Sequence, residues 1–266
     1  MDLKIIFLGA IQGLTEFLPI SSSAHLSFFQ MLFGYQNMLG YDIVLHFATL
    51  LAVLFFFRKD ILSLAIEWLS GFFKPEYRKR TGWRYGWIIL FGNIVTASIA
   101  LPLKTLVEKA KESPIIVAAG LFFTSLLLWY MRDLFKKSRA REISFGSGLL
   151  VGFTQGIAVI PGISRSGSTI FMGRLAGLPS EEAFRFSFLI SIPAIAGATF
   201  LEVLEMFKIG EVTLPSYWWL GALLAFSLGL FSLILLRRFV ISGRWKVFSV
   251  YCASLAFLMI LFHVSG

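Results

Sequence analysis

The chain has one cysteine, Cys252, and three histidines in 266 residues. A lone thiol inside an apolar run excludes an intrachain disulfide and any cysteine-based metal centre, and leaves the redox compartment undetermined. Charge is also scarce. Asp, Glu, Lys and Arg make up 15% of the sequence, against 57% hydrophobic residues and a mean hydropathy of +0.80. A soluble domain of this size carries far more charge. Linkers, low-complexity tracts and hydrophilic domains are missing as well, so 1–266 reads as a single integral membrane domain. In their place, apolar runs of membrane-spanning length recur from end to end, which predicts an all-α polytopic membrane protein.

Six stretches are expected to span, at about 42–57, 85–103, 114–131, 182–204, 216–236 and 247–263, each near the ~20 residues a bilayer needs. Basic loops follow the first, third and fifth. They hold Lys59, Lys74, Arg78, Lys79 and Arg80, then Lys136, Lys137 and Arg139, then Arg238 and Arg244. The loops between them, Lys104 to Glu112 and Glu205 to Glu211, mix acids and bases. The positive-inside rule puts the basic loops in the cytoplasm, with the chain as a multi-pass protein of the cell (inner) membrane. The net charge of +9 is thus explained by membrane orientation, without nucleic acid. The piece Ile61 to Phe73, with Glu67 and basic clusters on both sides, reads as an interfacial helix. The first apolar run ends in Glu16 and continues into Pro19 without a small-residue cleavage site, so it is expected to be retained rather than cleaved as a secretory signal.

Two Ser-rich breaks interrupt the apolar sequence, at Pro19 to His25 and at Pro161 to Gly167, and they are copies of each other. A shift of 143 residues superposes Gly9, Gln12, Gly13, Ile20, Ser21, Ser23, Phe28, Leu32 and Gly34 on identical residues. These nine matches fall within 26 positions, where composition alone gives roughly two. Each break lies between apolar stretches too short to cross, which predicts a re-entrant helix-turn-helix. One hairpin and three spans make each half, about 1–142 and about 143–266, and the odd number of crossings makes the two repeats inverted in topology.

The two copies differ in their chemistry. The first carries Glu16 and His25, the second Arg165. An arginine within a membrane segment normally faces a cavity and a partner, and its planar fork suits phosphate oxygens. Ser164, Ser166, Ser168 and Thr169 surround it, with Gly162 and Gly167 in the same run, and a helix starting there offers free N–H groups to an anion. The run reads as a phosphate cradle; the blander reading is hydroxyl capping with Arg165 paired to a carboxylate. Glu16 lies one turn after Gln12, so carboxylate and amide share a face and can share a divalent cation, Mg²⁺ or Ca²⁺. Glu16 can equally serve as counter-ion to Arg165. His25 follows Ser21 and Ser22 at helical spacing, and a hydroxyl within reach of an imidazole is the minimal arrangement for attack on phosphorus, or for a water activated by the same base. His46 is expected to bond a neighbouring helix. Arg174, Glu181, Glu182, Arg185, Glu202 and Glu205 are expected to snorkel, and the 29 phenylalanines to face lipid or an isoprenoid-sized groove.

The run Gln12-Gly13-Leu14-Thr15-Glu16-Phe17-Leu18-Pro19-Ile20-Ser21-Ser22-Ser23-Ala24-His25 resembles the signature of the undecaprenyl-diphosphate phosphatase (bacitracin-resistance) family. Pro161-Gly162-Ile163-Ser164-Arg165-Ser166-Gly167 is similar to its second signature, and Arg185 to Ala194 also resembles the family. The resemblance covers the whole chain. It implies a membrane hydrolase that removes the terminal phosphate of a C55 isoprenoid diphosphate, yielding the carrier lipid of cell-wall assembly. It further implies a divalent-cation requirement and a site facing the outer side. By position, Glu16 matches the essential acid, Ser22 and His25 the hydroxyl and imidazole, and Arg165 the phosphate-binding arginine. From their place in the two breaks, Ser21, Ser23, Ser164, Ser166, Gly167, Ser168 and Thr169 are expected to bind the substrate. Gln12 stands where many members have a second Glu, which weakens a two-carboxylate metal site. Ala24 replaces the usual Gly before the His, so that position should not need a positive φ. The expected partners are the isoprenoid diphosphate and membrane lipids. The sequence leaves open a homodimer, and a rival reading as a polyprenyl-phosphate flippase, since broken helices in inverted repeats also suit transport.

Overall fold

The computed structural model describes residues 3–35, 38–111, 113–135, 142–209 and 214–265. Lys136, Lys137, Arg139, Glu112 and Glu211 lie outside these residues. Among the described residues the chain forms eleven α-helices, one short 3-10 helix at Pro75–Lys79 and no strand. The helices are α1 (Leu3–Thr15), α2 (Ser22–Phe33), α3 (Leu39–Phe56), α4 (Arg58–Phe73), α5 (Thr81–Lys111), α6 (Pro114–Phe135), α7 (Phe145–Ile157), α8 (Arg165–Leu175), α9 (Ser180–Ile209), α10 (Trp218–Ser242) and α11 (Lys246–Ser265). Five of them, α3, α5, α6, α9 and α10, are long and apolar enough to cross a membrane, and α11 is the sixth expected span. The two Ser-rich breaks are where the chain turns between α1 and α2 and between α7 and α8.

The pairing of helices follows the repeat. Helix α1 lies along α10, and α7, its counterpart, lies along α5; α3 meets α9, and α6 meets α11. Both half-helix crossings are backbone to backbone. A Cβ on Gly9 would fall 2.2 Å from the Gly221 carbonyl oxygen, and one on Gly152 would fall 2.2 Å from that of Gly92. Only glycine admits this approach, and within an apolar solvent close packing is the main force that joins helices. The constant shift between the halves fails beyond α3 because the first half alone carries α4 and the 3-10 helix.

Helix α4 packs on α5 through an aromatic cluster of Trp68, Phe72, Trp83 and Trp87, with ring centroids 5.0 to 5.9 Å apart. Its other face exposes Leu62, Ile66, Leu69 and Phe73. Trp83 and Trp87 therefore fasten α4 to α5. Arg174 is not a snorkelling residue. It is buried, and its guanidinium donates to the Leu178 carbonyl at 2.6 Å. At the same end Arg185 pairs with Asp60 at 2.7 Å, which ties α9 to α4.

A phenylalanine cluster secures the first break. Phe17 is fully buried and meets Phe188 edge-on at 5.7 Å, and Phe188 stacks on Phe57 at 5.8 Å and packs on Phe184 at 4.9 Å. Phe17 thus holds the turn against α9, and Ile20, on the other side of Leu18-Pro19, is buried in the same apolar cluster.

Candidate functional site

Glu16 ends the first half-helix and points its carboxylate toward the second break. Its Oε1 accepts from Arg165 Nη2 at 2.5 Å, across 149 residues of sequence. Its Oε2 accepts from Ser22 Oγ at 2.7 Å and from Gln12 Nε2 at 2.9 Å. The carboxylate is 6% exposed and the guanidinium side chain 20%, so the pair sits at the floor of a cleft and gains more from Coulomb attraction than a surface pair.

The two breaks touch at this point. Gly167 packs on Pro19, Ser166 Oγ lies 3.4 Å from the Leu18 carbonyl, and the Cys252 thiol points at the Pro19 carbonyl from 3.7 Å. Their local geometry differs. Ser164 is a regular N-cap of α8, with φ −74° and its hydroxyl accepting from Gly167 N at 3.2 Å. Ser21, its counterpart, has φ 65° and ψ 93° and makes no side-chain cap bond. A left-handed serine is a strained conformation, of a kind that concentrates at functional sites. Ala24 is helical, so the positive φ of this turn is carried three residues earlier.

His25 holds the strained residue in place. Its Nδ1 lies 2.8 Å from the Ser21 carbonyl, and its Nε2 lies 2.7 Å from the Tyr251 hydroxyl. A carbonyl only accepts, so Nδ1 carries the proton and Nε2 accepts from Tyr251. Both ring nitrogens are thus engaged, the ring stacks parallel to Tyr251 with centroids 5.6 Å apart, and it is 4% exposed. The expected hydroxyl and imidazole pair is not formed: Ser22 turns to Glu16, and His25 turns to the backbone before it. The imidazole at the carboxylate is that of His46, on α3. It accepts from the second N–H of Gln12 at 3.1 Å and lies 3.7 Å from Glu16 Oε2. Its sequence signal was weak, a lone histidine within a span. Tyr251, in the last helix, had no signal at all.

A cleft of about 750 Å³ opens from this floor. Glu16, Ser21, Ser22, Ser23, Ser164 and Arg165 line it, together with His46. Ser166, Gly167, Ser168 and Thr169 do not. Because α8 begins at Arg165, these four rotate with the helix into the protein, where Thr169 bonds Ser187 at 2.6 Å. The cradle suggested by the sequence is therefore narrower, formed by Ser164 and Arg165. Going outward, the walls come from α5 and the C-terminal part of α9, with Leu90, Ile94, Ala97, Leu101, Ile195 and Ala198 as apolar surface. Phe200 is the one phenylalanine among the described lining residues, so aliphatic side chains rather than phenylalanines form the groove. The mouth holds Lys111 and Glu202, beside the Lys104 to Glu205 ion pair that joins α5 to α9.

Among the described residues no three His, Cys, Asp or Glu side chains gather closely enough to hold a metal ion by themselves. Gln12 Oε1 is buried with no hydrogen-bond partner, while the amide nitrogen faces the Glu16 carboxylate. With that amide turned over, one carboxylate and one neutral oxygen fit Mg²⁺ or Ca²⁺ where a phosphate ligand completes the shell.

A short acid, a hydroxyl directed at it and an arginine at the foot of an apolar cleft suit an amphiphile with an anionic head. The comparisons agree. The family model described as bacitracin resistance protein BacA matches residues 5–258. The chain is 41% identical over 256 residues to the undecaprenyl-diphosphatase of Desulfosudis oleivorans, covering 93% of each sequence. It is 40% identical over 261 residues to that of Desulforapulum autotrophicum, again covering 93% of each. With that of Nocardioides sp. it shares 35% identity over 270 residues, 99% of this chain and 97% of the relative. A family-model match over residues 5–258, with relatives of 35 to 41% identity along nearly the whole chain, makes the chain a member of the bacitracin resistance protein BacA family.

Proposed function

We propose that this protein is an undecaprenyl-diphosphate phosphatase, releasing inorganic phosphate and undecaprenyl phosphate from the diphosphate lipid. The observation that carries the reading is the junction of Ser22, Glu16 and Arg165, where nucleophile, acceptor and anion-binding fork meet at the foot of an aliphatic cleft. The phosphoryl group in flight carries its charge on oxygen, so positioning and electrostatics do most of the catalysis.

Arg165 exchanges Glu16 for the terminal phosphate when substrate enters. That exchange frees the carboxylate to take the Ser22 proton. Ser22 Oγ then bonds to the terminal phosphorus as the bond to the bridging oxygen breaks, and the lipid monophosphate leaves with that electron pair. Water cleaves the Oγ–P bond in a second step, giving inorganic phosphate and returning the proton to Ser22. His25, through the Ser21 carbonyl, positions the strained turn that presents Ser22. His46 holds Gln12 against the carboxylate. Glu16 and Gln12 would hold a Mg²⁺ or Ca²⁺ ion, which when bound neutralises charge on the diphosphate oxygens.

The cleft opens at the end of the molecule where acids and bases are mixed, Lys104, Lys111, Glu202 and Glu205, and away from the Arg- and Lys-rich end. We therefore assign the site to the outer side of the cytoplasmic membrane, with the two repeats inverted. The test is phosphate release from C55 diphosphate by detergent-purified protein, with and without Mg²⁺ or Ca²⁺. Cation-dependent release is expected; folded protein that releases none under any cation would defeat the reading.

A further inference from the structure

The hydrogen bonds around Gln12 decide which ring nitrogen of His46 carries the proton. The two hydrogens of Gln12 Nε2 go to Glu16 Oε2, at 2.9 Å, and to His46 Nδ1, at 3.1 Å. A ring nitrogen that accepts is unprotonated, so the neutral imidazole holds its hydrogen on Nε2. Gln12 is fully buried against Nδ1, whereas the His46 side chain is 32% exposed and lines the cleft. Nε2 has no hydrogen-bond partner among the described residues, and it is not one of the unpaired atoms sealed from solvent. The Nε2–H group is therefore open at the cleft wall.

This donor differs from the others on the floor. Arg165 and Ser22 both donate to Glu16 and must leave it to meet a phosphate. Nε2–H gives up no protein bond. It also stands beside the nucleophile. His46 Nδ1 lies 3.7 Å from Glu16 Oε2, the oxygen that accepts from Ser22 at 2.7 Å, while Arg165 holds Oε1. A phosphate that reaches Ser22 and Arg165 thus arrives next to the imidazole. An ionised diphosphate offers only acceptors, and a hydrogen bond to a charged oxygen is about twice as strong as one between neutral groups.

We propose that His46 is a substrate-binding residue, donating from Nε2 to a phosphate oxygen of the diphosphate head, with Gln12 fixing the tautomer that does so. The contact rests on the phosphatase reading, and it gives α3 a direct part at the head group beyond holding Gln12. It is assigned with the Gln12 amide as it stands, so the test is made without a cation.

The full chain, in detergent and EDTA, is titrated calorimetrically with a methylene-bridged, non-hydrolysable polyprenyl diphosphonate. His46→Ala should weaken binding roughly 10- to 100-fold, the usual range for losing a hydrogen bond to a charged group. His46→Gln should recover most of that loss, because its amide can accept from Gln12 and donate onward. In a Gln12→Leu background His46→Ala should cost a similar factor again, whereas a residue that only held Gln12 would cost nothing there. Histidine-selective ¹⁵N labelling of otherwise unaltered protein decides the matter if a variant does not fold. The chain has three histidines; His25 is protonated on Nδ1, and His263→Gln removes the third signal. The His46 ring should be protonated on Nε2, and that nitrogen should shift when the diphosphonate is added. Unchanged affinity in folded His46→Ala, a loss that disappears in the Gln12→Leu background, or a His46 ring unmoved by the diphosphonate would overturn the contact. Wild-type protein that binds no diphosphonate in EDTA would overturn it too. Phosphate release from C55 diphosphate with Mg²⁺ is recorded on the same preparation, and binding without release would count against the phosphatase reading and not against the contact.

Discussion

The two breaks share a sequence pattern and a backbone plan, yet one is relaxed and the other strained. In the second, Ser164 caps α8 in the ordinary way and Arg165 begins the helix. In the first, Ser21 is left-handed, has no cap bond, and relies on His25 and Tyr251 for support. The positions that match under the repeat have also parted chemically. Glu16 faces Val159 in the shifted numbering, Ser22 faces Arg165, and His25 faces Ser168. A duplicated scaffold has thus been divided into a reacting side and a binding side, with strain confined to the side that carries the nucleophile.

The largest effect should come from the binding side. Arg165→Ala is expected to lower phosphate release by about 10³-fold or more, the usual contribution of an arginine to phosphoryl transfer. Arg165→Lys should recover little of that loss, because a point charge replaces a bidentate fork. On the reacting side, Ser22→Ala should cost roughly 10²- to 10⁴-fold in kcat; near-normal turnover would remove the nucleophile assignment and leave the rest standing.

Subtler changes sharpen the contrast. Thermal unfolding should show Ser164→Ala losing about 1 kcal/mol, the value of an N-cap. The matching Ser21→Gly should gain up to about 1 kcal/mol by relieving the positive φ, while lowering kcat as the turn loosens. Equal destabilisation of both variants would mean that the two turns do not differ in strain. Tyr251→Phe should be smallest, with about 1 kcal/mol or less of lost hydrogen bonding and a fall in kcat at constant KM. Rescue of turnover by a donor at that position, as in Tyr251→His, is expected only if Tyr251 acts through the His25 ring.

Much of this arrangement was legible beforehand because it depends on local spacing. Gln12 and Glu16 are a turn apart, and their side chains bond as that spacing requires. The pairing of Glu16 with Arg165 follows from the cost of leaving either charge alone in an apolar setting. The partner of Ser22 did not follow. Helical spacing permits Ser22 and His25 to share a face, but the left-handed Ser21 sends its carbonyl to the imidazole, and Ser22 turns to the carboxylate instead. Likewise, Ser166, Ser168 and Thr169 look like phosphate ligands in a linear reading. The start of α8 at Arg165 fixes their phase, and it turns them inward.

The sequence by itself determined that this is a polytopic helical protein, duplicated, with two polar breaks carrying complementary chemistry. Composition, apolar run length and motif identity are properties of the chain, and the membrane's intolerance of unpaired polar groups restricts what they can build. Tertiary structure alone decided that α1 lies on α10 and α7 on α5, and that His46 and Tyr251 join the site. These contacts join residues far apart in the sequence through glycine-to-backbone crossings. Such crossings are chosen by the fit of surfaces in three dimensions, for which a one-dimensional pattern carries no signal.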